Sequence, residues 1–230
     1  MEKIISWQDT IKIRNFDLQF NSQGHKYHYK EKELESVTTR INRFTSFNED
    51  KILSKPKYKD CKEKTKEEWK RKREERQHIG SLTHSQIELF LQFNIHPKDP
   101  TPEFYSFLKF YTETDFKHVK NILIEKSIHA QELGMAGTCD IIAEDFIIDW
   151  KTQLNLEDYK KDYNTTFLAP IDSLPETRKN KWALQLSFYK YFLRKYYNKD
   201  IPKIYAIILD SQGYRIEELP YLENEIHRIL

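Results

Sequence analysis

Cysteine is almost missing from this sequence: Cys61 and Cys139 are the only two in 230 residues. Two thiols in a chain of this length exclude a disulfide framework. They also exclude a four-cysteine zinc or iron–sulfur site within one chain. No apolar run approaches the length needed to cross a bilayer. The N-terminal MEKIISWQDTIKIRNF lacks the apolar centre of a secretory signal. A soluble, cytoplasmic protein without a membrane partner is therefore the expectation. An excess of one charge is missing as well: 38 Lys+Arg against 36 Asp+Glu leave a net charge of +2. A nucleic-acid partner has to be argued from where the charges lie, not from their sum.

What is present suffices for a globular interior. Hydrophobic residues make up 38% and aromatics 14%, enough for one large domain or a core with an appended lobe. Residues 1–60 read as an N-terminal β-hairpin and helix extension. FDLQF and HKYHY are short aromatic runs separated by Asn21, Ser22, Gln23 and Gly24, a hairpin pattern. His25 and His28 in this hairpin read as packing or surface histidines. From Ser36 the chain enters a predicted helix with Ile41, Phe44 and Phe47 as an apolar stripe.

Residues 55–77, KPKYKDCKEKTKEEWKRKREERQ, are the most charged stretch. Lys70, Arg71, Lys72 and Arg73 form its densest cluster. Either this is a solvated helix face with acid–base pairs at helical spacing, or it is a surface that a phosphate backbone follows. The helix is predicted to continue through QHIGSLTHSQIELFLQF, with Ile79, Leu82, Ile87, Leu89 and Phe90 apolar, and His84 and Glu88 one turn apart. A second helix, PEFYSFLKFYTETDF, turns Phe104, Phe107, Leu108 and Tyr111 to one side.

From residue 121 the texture is that of strands: NILIEKSIHAQ, GMAGTCDIIAE and DFIIDWKTQ, with breaks at Gly134 and at Glu144-Asp145. A long amphipathic helix with Trp182, Leu186, Tyr189 and Leu193 on its apolar face follows. KIYAIILD, GYRIEEL and a short C-terminal helix complete the chain. The fold class is α/β, a mixed central sheet flanked by helices in the order αβββαβ, with residues 61–230 as the main domain.

Two aspartates and a lysine are out of place in such strands. If the second and third strands pair antiparallel, Asp140 and Asp149 approach one site at the end of the sheet. Side chains i and i+2 share a face of a strand, so Asp149 and Lys151 project together and Trp150 points into the opposite layer. Two neighbouring carboxylates repel unless a cation neutralises them. A hard divalent ion, Mg²⁺ or Mn²⁺, suits their oxygens, and the Trp150 carbonyl could add another. A lysine beside such an ion suits phosphodiester hydrolysis, because it can orient water and stabilise charge growing on phosphate. A structural Asp–Lys pair at a strand end is the plain alternative.

The residues also carry a resemblance. Gly137-Thr-Cys-Asp140, Ile148-Asp149-Trp150-Lys151-Thr152 and Gln185-Leu-Ser-Phe-Tyr189 resemble the successive motifs of the RecB-like branch of the PD-(D/E)XK nuclease superfamily. Gly80-Ser-Leu-Thr-His84 resembles the helical histidine motif that precedes them. The resemblance covers roughly residues 66 to 210. It implies metal binding by His84, Asp140 and Asp149, a catalytic Lys151, and Gln185 with Tyr189 bordering the active site on one helix face. Glu125 falls where relatives often carry an acid, and Glu88 either supports the site or pairs with a nearby cation. Relatives with an iron–sulfur cluster use four cysteines, so the likeness runs toward cluster-free exonucleases of mitochondrial, phage or viral kinds. The implied activity is a Mg²⁺- or Mn²⁺-dependent DNA exonuclease acting on single strands or ends in replication, recombination or repair. A structure-specific endonuclease of the same fold and a non-catalytic DNA-binding or scaffolding module stand as alternatives. No residue pattern names a protein partner.

Overall fold

The computed structural model describes residues 6–21, 26–58, 60–152 and 164–230. Eight strands form one mixed sheet: β1 (Leu18–Asn21), β2 (Lys26–Tyr29), β3 (Lys32–Ser36), β4 (Leu123–Ala130), β5 (Met135–Ile142), β6 (Phe146–Thr152), β7 (Lys203–Leu209) and β8 (Tyr214–Glu218). Their order is β1-β2-β3-β5-β6-β7-β8, with β4 paired to β5 off this path. The helices are α1 (Trp7–Arg14), α2 (Val37–Asn42), α3 (Glu49–Leu53), α4 (Lys62–Phe93), α5 (Pro102–Glu113), α6 (Arg178–Tyr196) and α7 (Glu223–Ile229). The architecture is thus α/β with a mixed sheet flanked by helices. No helix among the described residues is long and apolar enough to cross a membrane.

Two cores lie on the two faces of the sheet. On one face α6 contributes Leu184, Phe188 and Phe192, joined by Ile11 of α1, Val37 and Ile41 of α2 and Ile226 of α7. On the other, Ile87 and Phe90 of α4 and Phe104, Phe107 and Phe110 of α5 surround Trp150. Strand alternation sorts residues between the faces: Ile204, Ala206 and Ile208 of β7 join the α6 core, Ile207 and Leu209 the α4–α5 core. β6 and β7 run parallel with Asp149 opposite Ala206, and α6 is the crossover between them.

Strand β5 organises the centre. Along one edge it pairs antiparallel with β4 from Leu123↔Ile142 to Ala130↔Met135. Along the other it pairs with β3, in parallel, at Met135 and Ala136, and with β6, antiparallel, at Ile141 and Ile142. Residues 137–140 lie in the gap where these two partners diverge.

The 1–60 segment is built into this body. Beyond β3 and the buried Ile11, Val37 and Ile41, the Trp7 indole donates to Glu144 at 2.8 Å and the Tyr197 hydroxyl to Asn15 Oδ1 at 2.9 Å. Helix α2 is shorter than the sequence stripe predicts. Ser36 caps it by accepting from Thr39 N–H at 3.0 Å, and it ends at Asn42, leaving Phe47 exposed. The hairpin turn and His25 lie outside the described residues. Along α4 the buried positions are Thr83, Gln86, Ile87 and Phe90, the helical spacing of a docked face. Leu82 and Leu89, predicted to supply apolar contacts, point to solvent instead. On α5, Phe110 rather than Leu108 completes the buried row.

Candidate active site

The elements around the β5 gap deliver polar side chains into a cavity of about 290 Å³, lined by His84, Glu125, Asp140, Asp149, Lys151, Gln185 and Tyr189 among others. His84 arrives from α4, just beside that helix's buried row. Thr83 and Gln86 pin the helix there: Thr83 Oγ1 is 2.9 Å from Thr101 Oγ1, and Gln86 Nε2 donates to the Asp99 carbonyl at 2.9 Å. One turn earlier Gly80 lets α4 pass close to β6, since a Cβ there would stand 3.2 Å from Thr152 Oγ1.

His84 Nε2 lies 3.0 Å from the Trp150 carbonyl, to which its N–H donates. Nδ1 faces two carboxylates, Asp140 Oδ1 at 3.6 Å and Glu125 Oε1 at 3.7 Å. The three donor atoms of His84, Glu125 and Asp140 lie within 4.8 Å of one another. Asp140 is held by the neighbouring strand, because Trp150 N–H donates to its Oδ2 at 2.6 Å across the gap. Trp150 itself is buried in the α4–α5 core, its ring 5.4 Å from Phe107 and 5.7 Å from Phe110. That anchorage fixes both the N–H that holds Asp140 and the carbonyl that orients His84.

Asp149 and Lys151 project together on the α6 side, as the strand period requires, and form an ion pair. Gln185 of α6 bridges them. Its Oε1 accepts from Lys151 Nζ at 3.1 Å, and its Nε2 donates to Asp149 Oδ1 at 3.2 Å and to the Tyr189 hydroxyl at 3.2 Å. Tyr189, one turn on, lies over Gly137: a Cβ at Gly137 would stand 2.4 Å from Tyr189 Cε1. The glycine of Gly137-Thr-Cys-Asp140 is what lets the tyrosine ring reach the gap.

The electrostatics show how crowded with acid the site is. Burial pushes the Asp149 carboxyl up to about 6; Lys151 opposes this and Asp140 adds to it. Burial likewise raises Glu125 to about 7, with His84 opposing and Asp140 adding. For His84 burial disfavours the charged ring, but Asp140 and Glu125 outweigh it and raise the imidazole well above its usual range. Burial raises the Tyr189 phenol well above its ordinary value, which keeps it a neutral hydrogen-bonding group.

The sequence-predicted residues divide. His84, Asp140, Asp149, Lys151, Gln185 and Tyr189 share one cavity, and the Trp150 backbone reaches it through two of its lining residues, His84 and Asp140. Glu125, ranked second from sequence, stands in the innermost group. Glu88, one turn on from His84 and half-buried, accepts from Gln92 Nε2 at 3.0 Å and lies near enough to Glu125 to push that carboxyl further up. Lys70, Arg71, Lys72 and Arg73 lie on the exposed half of α4, where carboxylates of Glu74, Glu75, Glu68 and Glu49 face them at 3.9, 3.6, 2.5 and 3.3 Å. Sequence reasoning named none of the opposite wall: Phe20, Tyr27, Ser36 and Thr38 of the N-terminal extension. Tyr27 is tied to β5 through its hydroxyl, 3.0 Å from Thr138 Oγ1. The aromatic alternation of HKYHY was the available signal. Compared with known proteins, the chain matches no family model and no curated sequence.

Proposed function

We propose that this protein is a metal-dependent nuclease with a PD-(D/E)XK core of the RecB-like kind, hydrolysing phosphodiester bonds of DNA at single strands or ends. One observation carries the reading: three carboxylates, an imidazole and a lysine from four different elements converge on one cavity, with Gln185 joining the lysine to Asp149. A purely structural Asp–Lys pair has no use for the His84, Glu125 and Asp140 beside it.

The donor chemistry fits a hard divalent ion, Mg²⁺ or Mn²⁺. Neighbouring acids whose carboxyls are pushed up toward neutrality are groups that a cation would relieve. His84 Nδ1, Glu125 and Asp140 would hold it, with Asp149 completing the acidic set. When bound, such an ion activates water and neutralises charge on a phosphate. The chain's own residues do the rest. The Trp150 carbonyl, by accepting from His84 Nε2, turns Nδ1 toward the carboxylates, an orienting role typical of partners behind metal-binding histidines. Asp149 and Gln185 hold the Lys151 ammonium at the cavity, where it can orient the attacking water and stabilise negative charge as the P–O bond breaks. A cavity of about 290 Å³ is at the small end of ligand clefts and suits a nucleotide-sized group of one strand.

The test is digestion of end-labelled single- and double-stranded DNA, labelled at either end, in Mg²⁺, Mn²⁺ and EDTA. Metal-dependent release of labelled products is expected, and intact DNA under every condition overturns the proposal. A covalently closed single-stranded circle separates the two enzymatic readings, because an exonuclease leaves it uncut. DNA binding without cleavage would instead favour the scaffolding reading.

A further inference from the structure

Helix α4 buries side chains only toward its C-terminal end, from Thr83 to Phe90; earlier along it, Trp69 meets the Tyr58 ring at 6.0 Å and Arg73 meets Glu49 of α3. Residues 70–78 are all exposed, so this part of the helix stands largely in solvent, with Glu49 of α3 beside Arg73. Counted back from His84 at about 100° and about 1.5 Å per residue, the projecting part has two sides of different chemistry. Lys66, five turns away, and Arg73, three turns away, point within about 20° of His84. Lys62 and Lys70 fall within about 40°, and the neutral Gln77 lies between them and the histidine. The carboxylates nearest this row, Glu63, Glu74 and Glu67, are displaced by about 60–100° round the helix. Lys64 and Arg71 point nearly the opposite way, at about 140–160°.

Since His84 faces the cavity, the row on its side forms a strip of positive charge that leads toward the cavity, from Lys62, about 33 Å from His84 along the helix, to Arg73, about 17 Å from it. Two of its members have acidic neighbours, Lys70 with Glu74 at 3.9 Å and Arg73 with Glu49 of α3 at 3.3 Å. Lys70 and Glu74 are both exposed, and Arg73 is exposed although Glu49 is half-buried; surface cations of this kind hold their partners weakly. The cations can therefore exchange a carboxylate for a phosphate.

We propose that this strip, and not the contiguous block of residues 70–73, is the track along which the phosphate backbone of a single DNA strand reaches the cavity. The proposal rests on the nuclease reading for its substrate class. Lys62, Lys66, Lys70 and Arg73 engage the backbone and carry no sequence information. Arg71 is left out although it sits in the middle of the basic run.

Two charge-matched double variants test this. Lys66→Ala/Arg73→Ala removes one lysine and one arginine from the strip; Lys64→Ala/Arg71→Ala removes the same types at the same spacing from the opposite side. Alanine is a strong helix former, so both variants should keep α4, which circular dichroism checks. Binding of a fluorescein-labelled oligothymidylate is measured by anisotropy in EDTA across a KCl series. The strip variant is expected to lower the slope of log affinity against log salt by about 1.4 and to weaken binding about tenfold at moderate salt. The opposite-side variant is expected to stay within about twofold of wild type. Equal effects of the two variants, no effect of either, or no binding by the wild type overturns the strip. Digestion in Mg²⁺ and Mn²⁺ separates this from the parent reading. Cleavage with both variants binding alike sinks the strip alone; strip-dependent binding with DNA left intact sinks the nuclease reading alone.

Discussion

Glu125 stands directly across the β4–β5 ladder from Asp140, between the paired Ile124↔Ile141 and Lys126↔Cys139, and its φ is +47°. An L-residue in the left-handed region within a strand is strained. Here the strained residue is the one whose carboxylate joins His84 and Asp140. Replacing Glu125 with Asn, which tolerates positive φ better, is expected to raise the metal-free melting temperature by a few degrees. The same change should weaken Mn²⁺ binding about 10–100-fold. Calorimetric titration and thermal melts measure the two effects. A variant both less stable and equal in metal affinity would mean that the strain serves nothing at this site.

Asp149 and Lys151 are the residues on which the proposed chemistry depends most directly. Asp149→Ala and Lys151→Ala are each expected to lower cleavage at least about 10³-fold, with the fold retained by circular dichroism. Near-normal digestion by either variant contradicts the assignment.

Gln185 acts through its neighbours. It holds Lys151 and Asp149 at 3.1 and 3.2 Å, so Gln185→Ala is expected to lower kcat about 10–100-fold with KM little changed. A rise in KM at constant kcat would instead make Gln185 a substrate-binding residue.

The crowding of Gly137 and Tyr189 predicts a coupled pair. Gly137→Ala should destabilise by about 1–3 kcal/mol. In a Tyr189→Leu background, where the phenol ring is gone, that penalty should shrink by more than about 0.5 kcal/mol. Denaturant melts of the four proteins close the cycle, and strictly additive effects would mean that the ring is not what excludes the methyl group.

The metal-free protein should lose stability as pH rises. Asp149 is raised from 3.8 to about 6 and Glu125 from 4.5 to about 7, so between roughly pH 4 and 7 the folded state binds more protons than the unfolded one. Their favourable protonated forms are therefore lost through that window. His84, raised above 6.5, extends the decline upward, because its proton too is held more tightly in the folded state. Melting in EDTA should fall by roughly 4–8 °C from pH 5 to pH 8. Mg²⁺ or Mn²⁺ should recover more of the loss at pH 8 than at pH 5. A flat profile in EDTA would show that the acids are not in conflict.

Much of this site was legible because its residues contradict their surroundings. Asp140, Asp149 and Lys151 interrupt apolar strands, and His84, Gln185 and Tyr189 sit at helical spacings with regular faces. Period-2 reasoning correctly separated Trp150 from its two charged neighbours. Glu125 could not be ranked from sequence, since its prominence comes from a backbone angle and a cross-strand register, both tertiary properties. The wall formed by Phe20, Tyr27 and Ser36 was hidden for a similar reason. The β3–β5 pairing consists of only two residue pairs, too few to imprint a pattern on either strand. The over-long helix predicted from Ile41, Phe44 and Phe47 failed where the apolar spacing continued but the chain turned away.

That short pairing also bears on when activity first becomes possible during synthesis. Glu35 meets Met135 and Ser36 meets Ala136, contacts about a hundred residues apart in the chain, and Gln185 and Tyr189 follow later still. Closure over such separations is slow and stays unrewarded until the distant strand exists. A nascent chain therefore leaves the ribosome with His84 exposed but without its carboxylates, its lysine clamp or its far wall. On the proposed function, a degradative enzyme would stay harmless to the nucleic acids around it until synthesis has passed Tyr189.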